Sequence, residues 1–161
     1  MDSEARSKFF ERIDDWKDGL QLYDGALGVL KHLRENGSKI AILSNNNTLI
    51  EDLLDKENLR DYVDIIVTSH TSGYLKPTRE AYELCLSRLG SDPKNTTMVG
   101  DQLEKDVLAP IKLWMNGILF DPNNKSQGYS ERRIISLREL IKNWLRIYPI
   151  SLHSKVWTQI L

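Results

Sequence analysis

Four short apolar runs, each closed at its carboxyl end by polar residues, constrain this chain more than any other feature. Lys39-Ile40-Ala41-Ile42-Leu43 runs into Ser44 and three asparagines, and Asp64-Ile65-Ile66-Val67-Thr68 is rich in β-branched side chains. Thr96-Thr97-Met98-Val99 ends at Gly100-Asp101, and Gly117-Ile118-Leu119-Phe120 ends at Asp121-Pro122. Short unbroken apolar runs bounded in this way read as strands covered on both faces. Segments of helical period lie between them. Ala26 to Arg34 places Leu27, Leu30 and Leu33 along one side and stops at Asn36-Gly37. Thr48 to Lys56, Thr78 to Leu89 (stopped by Gly90), Leu103 to Met115 and Ser136 to Leu145 continue the alternation. Strand–helix alternation demands right-handed crossovers and a parallel sheet. The expected fold is a doubly wound, Rossmann-like α/β domain with helices on both faces of the sheet.

The two ends differ from this pattern. Residues 2–18 read as a polar helix with Phe9, Phe10, Ile13 and Trp16 on one side. After Arg146 the tail is apolar, through Ile147, Tyr148, Ile150, Leu152, Val156 and Trp157 to Ile160-Leu161, and is expected to dock on this domain or a partner. Between the ends, 22 basic and 23 acidic residues leave a net charge of −1, so no charged tract points to nucleic acid or a membrane surface. The single cysteine, Cys85, reads as a small buried side chain on a helix face and not as a nucleophile. The first residues lack the apolar core of a signal peptide, and no stretch approaches the roughly 18 apolar residues that span a bilayer. The expected compartment is the cytoplasm.

Ligands on doubly wound sheets bind beyond the carboxyl ends of the strands, which is where Ser44, Thr68-Ser69 and Asp101 fall. Asp101 and Asp106 occupy a strand end and the first turn of the next helix, and hard carboxylate oxygens suit Mg²⁺. They equally suit a helix cap and a solvated surface acid. Ser44 and the backbone N–H of Asn45 are placed to hold an anion, although an ordinary turn has the same composition. Pro77 fits the first position of a helix, with Lys76 extended just outside it and able to face a bound anion.

In this order the four signals become specific, and the sequence resembles the haloacid dehalogenase superfamily of phosphohydrolases from about Leu22 to Asp121. Leu43-Ser44-Asn45 is similar to the family's strand-end motif that binds phosphoryl oxygens. Lys76-Pro77, with Tyr82 on the next helix, is similar to its charge-neutralising lysine motif. Gly100-Asp101 through Asp106 is similar to its magnesium motif. The resemblance implies Ser44 and Lys76 in catalysis, and Ser44, Asn45 and Lys76 in phosphate binding. It further implies Asp101 and Asp106 on Mg²⁺, with a small phosphorylated metabolite as substrate. Leu22-Tyr23-Asp24-Gly25 looks like the family's Tyr-Pro-Gly turn, with Asp24 in place of proline.

The family's opening motif, an apolar strand ending in Asp-x-Asp-Gly-Thr, has no counterpart: the 161 residues contain no Asp-x-Asp. Its first aspartate is the family's nucleophile, without which the covalent route cannot run. Asp24 follows Leu22 where that nucleophile would stand, and Asp14-Asp15 fits an exposed helix face. The resemblance therefore implies residues 1–20 as the remnant of a helical cap, 21–147 as a core lacking its first strand, and 148–161 as an apolar tail. The gap between the strands ending at Ser44 and Asp101 would be filled by a complementing chain, by self-association, or by the tail around Val156-Trp157. Three functions follow in order: a magnesium-dependent phosphomonoester hydrolase, or a piece of one inactive alone; a non-catalytic phosphate- or partner-binding protein; and, last, a receiver-like signalling domain.

Overall fold

The computed structural model describes residues 21–46, 49–129 and 131–142 and the backbone of 155–158. The expected cap remnant at 1–20 and most of the tail lie outside the described residues. The elements run α1 (Ala26–Glu35), β1 (Ile40–Ser44), α2 (Leu49–Lys56), β2 (Ile65–Thr68), α3 (Ser69–Ser72), α4 (Arg79–Leu89) and β3 (Thr96–Gly100). A π-helix (Leu103–Leu108) follows, then α5 (Ala109–Lys112), β4 (Asn116–Phe120), β5 (Arg133–Ile134), α6 (Arg138–Lys142) and β6 (Lys155–Thr158). All ladders are parallel, and the six strands lie in the order β2-β1-β6-β3-β4-β5. The doubly wound α/β expectation holds.

The strand period of two explains how one apolar run feeds two cores. In β1, Ile40 and Ile42 join the layer formed with Val29, Leu30 and Leu33 of α1 and Ile50 and Leu54 of α2. Ala41 and Leu43 point the other way, into the layer built on Ala81, Tyr82, Cys85 and Leu89 of α4. Burial pushes the Cys85 thiol up to about 12, so it stays protonated and inert, as its place in the sequence predicts.

The termination of α1 follows its sequence closely. Gly37 adopts φ 74, its N–H bonds to Arg34 O at 3.0 Å, and Ser38 N–H bonds to Leu33 O at 3.0 Å, which closes the last turn. The inner face of α1 is Ala26, Val29, Leu30 and Leu33, whereas Leu27 is 50% exposed. Leu30 and Leu33 of the expected row face the core, and Leu27 does not; Ala26 and Val29 complete the face instead.

Two other expectations need correction. Helix α4 begins at Arg79 with Thr78 as its N-cap, so Pro77 precedes the helix instead of opening it. Thr78 N–H closes a tight turn onto Leu75 O at 2.8 Å, and the Lys76–Pro77 peptide within that turn is cis. The single helix expected over Leu103 to Met115 is a π-helix followed by one turn of α-helix. It packs hard on β4, where a Cβ at Gly117 would sit 2.7 Å from Val107 Cα.

The tail supplies a strand. Lys155–Thr158 enters the middle of the sheet between β1 and β3, parallel to both, with Val156 opposite Ile40 and Thr97, and Trp157 opposite Ala41 and Met98. It occupies the gap that the sequence left between the strands ending at Ser44 and Asp101. Among the described residues no helix is long and apolar enough to cross a membrane.

Candidate functional site

The carboxyl edge of β1 and β3 gathers the residues that the sequence singles out. Ser44 ends β1, 3% exposed, and its hydroxyl accepts the Asn46 N–H at 3.2 Å, which leaves its own proton to donate. Asn45 has a use the sequence did not signal. Its carboxamide donates to Lys76 O at 2.8 Å and accepts Lys76 N–H at 2.7 Å, clamping the lysine backbone from both sides. Thr68 stands in register beside Ser44, and Ser69 Oγ reaches Asn46 O at 3.4 Å. The three polar strand ends therefore converge on one edge.

Lys76 carries its charge into the interior. It is 3% exposed, and its Nζ lies 2.7 Å from Asp106 Oδ1. Burial pushes the Lys76 ammonium down from its ordinary value, and the Asp106 carboxylate opposes that shift. Asp106 is fully buried, not the surface acid that its sequence context allowed. Its second oxygen accepts Gln102 N–H at 3.0 Å, so both oxygens are engaged. Two local features make room for it. The π-helix turns Asp106 inward beneath the strand end, and Gly100 has no Cβ, which would overlap the Asp106 carboxylate.

Asp101, one residue past β3, is exposed. Partial burial and then the neighbouring Asp106 charge hold its carboxyl above the usual range, with Lys76 and Lys105 opposing. Like charge crowded at a strand end is relieved by a bound cation, and carboxylate oxygen is the donor that Mg²⁺ takes. Among the described residues no group of three or more His, Cys, Asp or Glu could hold a metal. The carboxylate oxygens of Asp101 are of the donor type that suits a hard ion keeping several of its waters.

Two residues from the quoted motifs, Tyr82 and Tyr23, support the site. Tyr82 is fully buried and donates from its hydroxyl to Lys105 O at 2.6 Å, tying α4 to the π-helix. Tyr23 packs edge-on against Phe120, with ring centroids 4.7 Å apart. Burial, then the charge of Asp101, raises its phenol, which puts the turn before α1 within electrostatic reach of the site. Both stand in segments that the resemblance singles out, Tyr82 with Lys76-Pro77 and Tyr23 before Gly25, but neither segment shows what the phenol touches.

A family model described as haloacid dehalogenase-like hydrolase matches residues 3–112. The ribulose-1,5-bisphosphate 5-phosphatase of Halopiger xanaduensis is 37% identical over 110 residues, covering 68% of this chain and 46% of that protein. The glyceraldehyde 3-phosphate phosphatase of Methanothermobacter thermautotrophicus is 28% identical over 62% of this chain and 45% of its own length. The chain thus spans about half the length of these curated relatives. Among solved structures, a HAD phosphatase from Thermococcus onnurineus superposes with a TM-score of 0.72 at 26% identity, over 84% of this chain and 64% of that one.

Proposed function

The chain belongs to the haloacid dehalogenase-like hydrolases, and from that premise we propose that it forms the phosphoryl- and magnesium-binding part of a phosphomonoester hydrolase acting on a small phosphorylated metabolite. The observation that carries the reading is the buried Lys76–Asp106 pair at the edge where Ser44 and Asp101 end their strands. A phosphoryl group in transfer needs its charge matched by cations and its oxygens held by fixed donors. Ser44 donates its hydroxyl proton to one oxygen, and Lys76, held by the Asn45 clamp, balances the charge. Asp101, with Asp106 behind it, would hold Mg²⁺, which when bound would supply positive charge for the phosphoryl group. Asp106 sets the position and field of Lys76. The phosphatase names of the relatives support a small phosphorylated substrate. In this reading residues 21–147 are an α/β core without its first strand, 1–20 the remnant of a cap, and 148–161 a tail.

The reaction also needs a nucleophile. With no Asp-x-Asp in its sequence, the 161-residue chain is expected to bind phosphate without turning over. The same observation favours the second reading, a phosphate-binding protein without hydrolase activity in any context. Titrating the purified chain with inorganic phosphate in the presence of Mg²⁺, followed by calorimetry, tests the shared part. Saturable binding lost in Asp101→Ala is expected, and no binding would sink both readings. An assay with a generic aryl phosphate tests the rest: turnover by the chain alone, abolished by Asp101→Ala, would overturn the second reading and the expectation of inactivity.

A further inference from the structure

Strand β6 is the only hydrogen-bonded link, among the described residues, between two halves of the sheet: β2-β1 on one side and β3-β4-β5 on the other. It is also the last of the described strands in chain order, following α6 after residues 143–154. The other described strands all precede it. Until a parallel strand arrives, β1 and β3 border a slot one strand wide, lined by two rows of backbone donors and acceptors that must be satisfied.

We propose that this slot is a strand-acceptor site that takes β6 from a second copy of the chain, so that two copies pair by reciprocal exchange. The slot already fits this segment. Lys155–Thr158 aligns with Thr96–Val99 on one side, and Val156-Trp157 aligns with Ile40-Ala41 on the other. A second copy presents the same residues in the same register, so exchange keeps every backbone pair and sacrifices none. Residues 143–154 span on the order of 40 Å when extended. That is comparable to the width of a domain whose radius of gyration is about 15 Å. Own and neighbouring β6 therefore compete for the slot, and protein concentration during folding decides between them.

The exchange reaches the functional edge. Because β6 runs parallel to β1 and β3, its carboxyl end points to where Ser44 and Asp101 stand. In the exchanged pair each site is bordered by the other copy's strand. The inference stands on strand order and register, apart from the hydrolase reading, and would survive that reading's failure.

The test uses the full chain carrying Thr97→Cys and Val156→Cys, which are registered neighbours. Strands about 4.8 Å apart place such a pair within disulfide range. The Thr97 hydroxyl has no hydrogen-bond partner, so little is lost there, and the buried Cys85 thiol does not compete. The protein is refolded at low and at high concentration, oxidised, and followed by non-reducing electrophoresis and light scattering. Expected is a disulfide-linked species of doubled mass whose share rises with refolding concentration and which disappears in either single variant. Disulfides confined to monomers at every concentration overturn the proposal, as does monomeric mass with no disulfide at all. Val156→Pro, which removes a ladder donor from β6, is the second check: a non-covalent dimer that persists in it lies on another surface and also overturns the proposal.

Discussion

Two ion pairs of the same length, 2.7 Å, sit at opposite edges of the sheet, and they do different work. At the carboxyl edge, the side chains of Lys76 and Asp106 are 2% and 0% exposed. At the amino edge, Arg34 and Asp64 are 46% and 26% exposed. Distance does not rank them; the surrounding medium does. Water screens the outer pair, so the attraction between its two partners contributes little by itself. The inner pair has lost its water, so removing one member leaves a buried charge poorly compensated. Asp64 matters for a different reason: its second oxygen accepts the Ile40 N–H at 2.8 Å and so fixes where β1 begins.

The largest expected effect follows from splitting the inner pair. Asp106→Asn removes the buried carboxylate that Lys76 meets at 2.7 Å and should lower unfolding free energy by about 3–5 kcal/mol. Urea denaturation reads this as a shifted midpoint at unchanged slope. Replacing both members, Lys76→Met with Asp106→Leu, should recover most of that loss while abolishing phosphate binding. Next comes Gly100→Ala, whose methyl group displaces the Asp106 carboxylate and should cost about 1–3 kcal/mol. If it proves neutral, Asp106 is not tightly held and the contrast weakens.

Asp64→Asn at the outer edge should cost about 1–2 kcal/mol at neutral pH. Burial raises the Asp64 carboxyl, but the Ile40 N–H, Arg34 and Lys39 together outweigh burial and lower it. A carboxyl lowered by folding stabilises fully above its unfolded value of about 3.9 and loses that contribution as pH falls through the folded value. The gap between wild type and Asp64→Asn should therefore close as the solution is acidified below about pH 4. The smallest change is expected from Arg34→Ala, at most about 1 kcal/mol and less in high salt. A loss equal to that of Asp106→Asn would break the comparison.

The four strands, the order of helices and the Asn36-Gly37 stop could be read from period and turn chemistry, because local patterns determine them. The site residues could be named from their motifs, but their surroundings could not. Nothing in Leu103 to Met115 distinguishes a π-helix from an α-helix, since apolar spacing records a face and not which carbonyl accepts each N–H. The burial of Asp106 depends on that difference. Asn45 could be placed at the site but not assigned to Lys76, because the clamp joins residues 31 positions apart. β5, at two residues, is too short to show a period. The tail around Val156-Trp157 could be named as one of three candidates for the gap between β1 and β3, but the choice among them rests on pairing between residues far apart in the chain.

The hydroxyl of Tyr82 adds an optical consequence. Its proton is spent on the Lys105 carbonyl, and burial, then the charges of Asp106 and Glu104, push its ionisation far up. In an alkaline titration followed by near-ultraviolet absorbance, this phenol should stay dark for as long as α4 and the π-helix remain joined. Its late appearance as phenolate would time the moment when the floor beneath Asp106 comes apart.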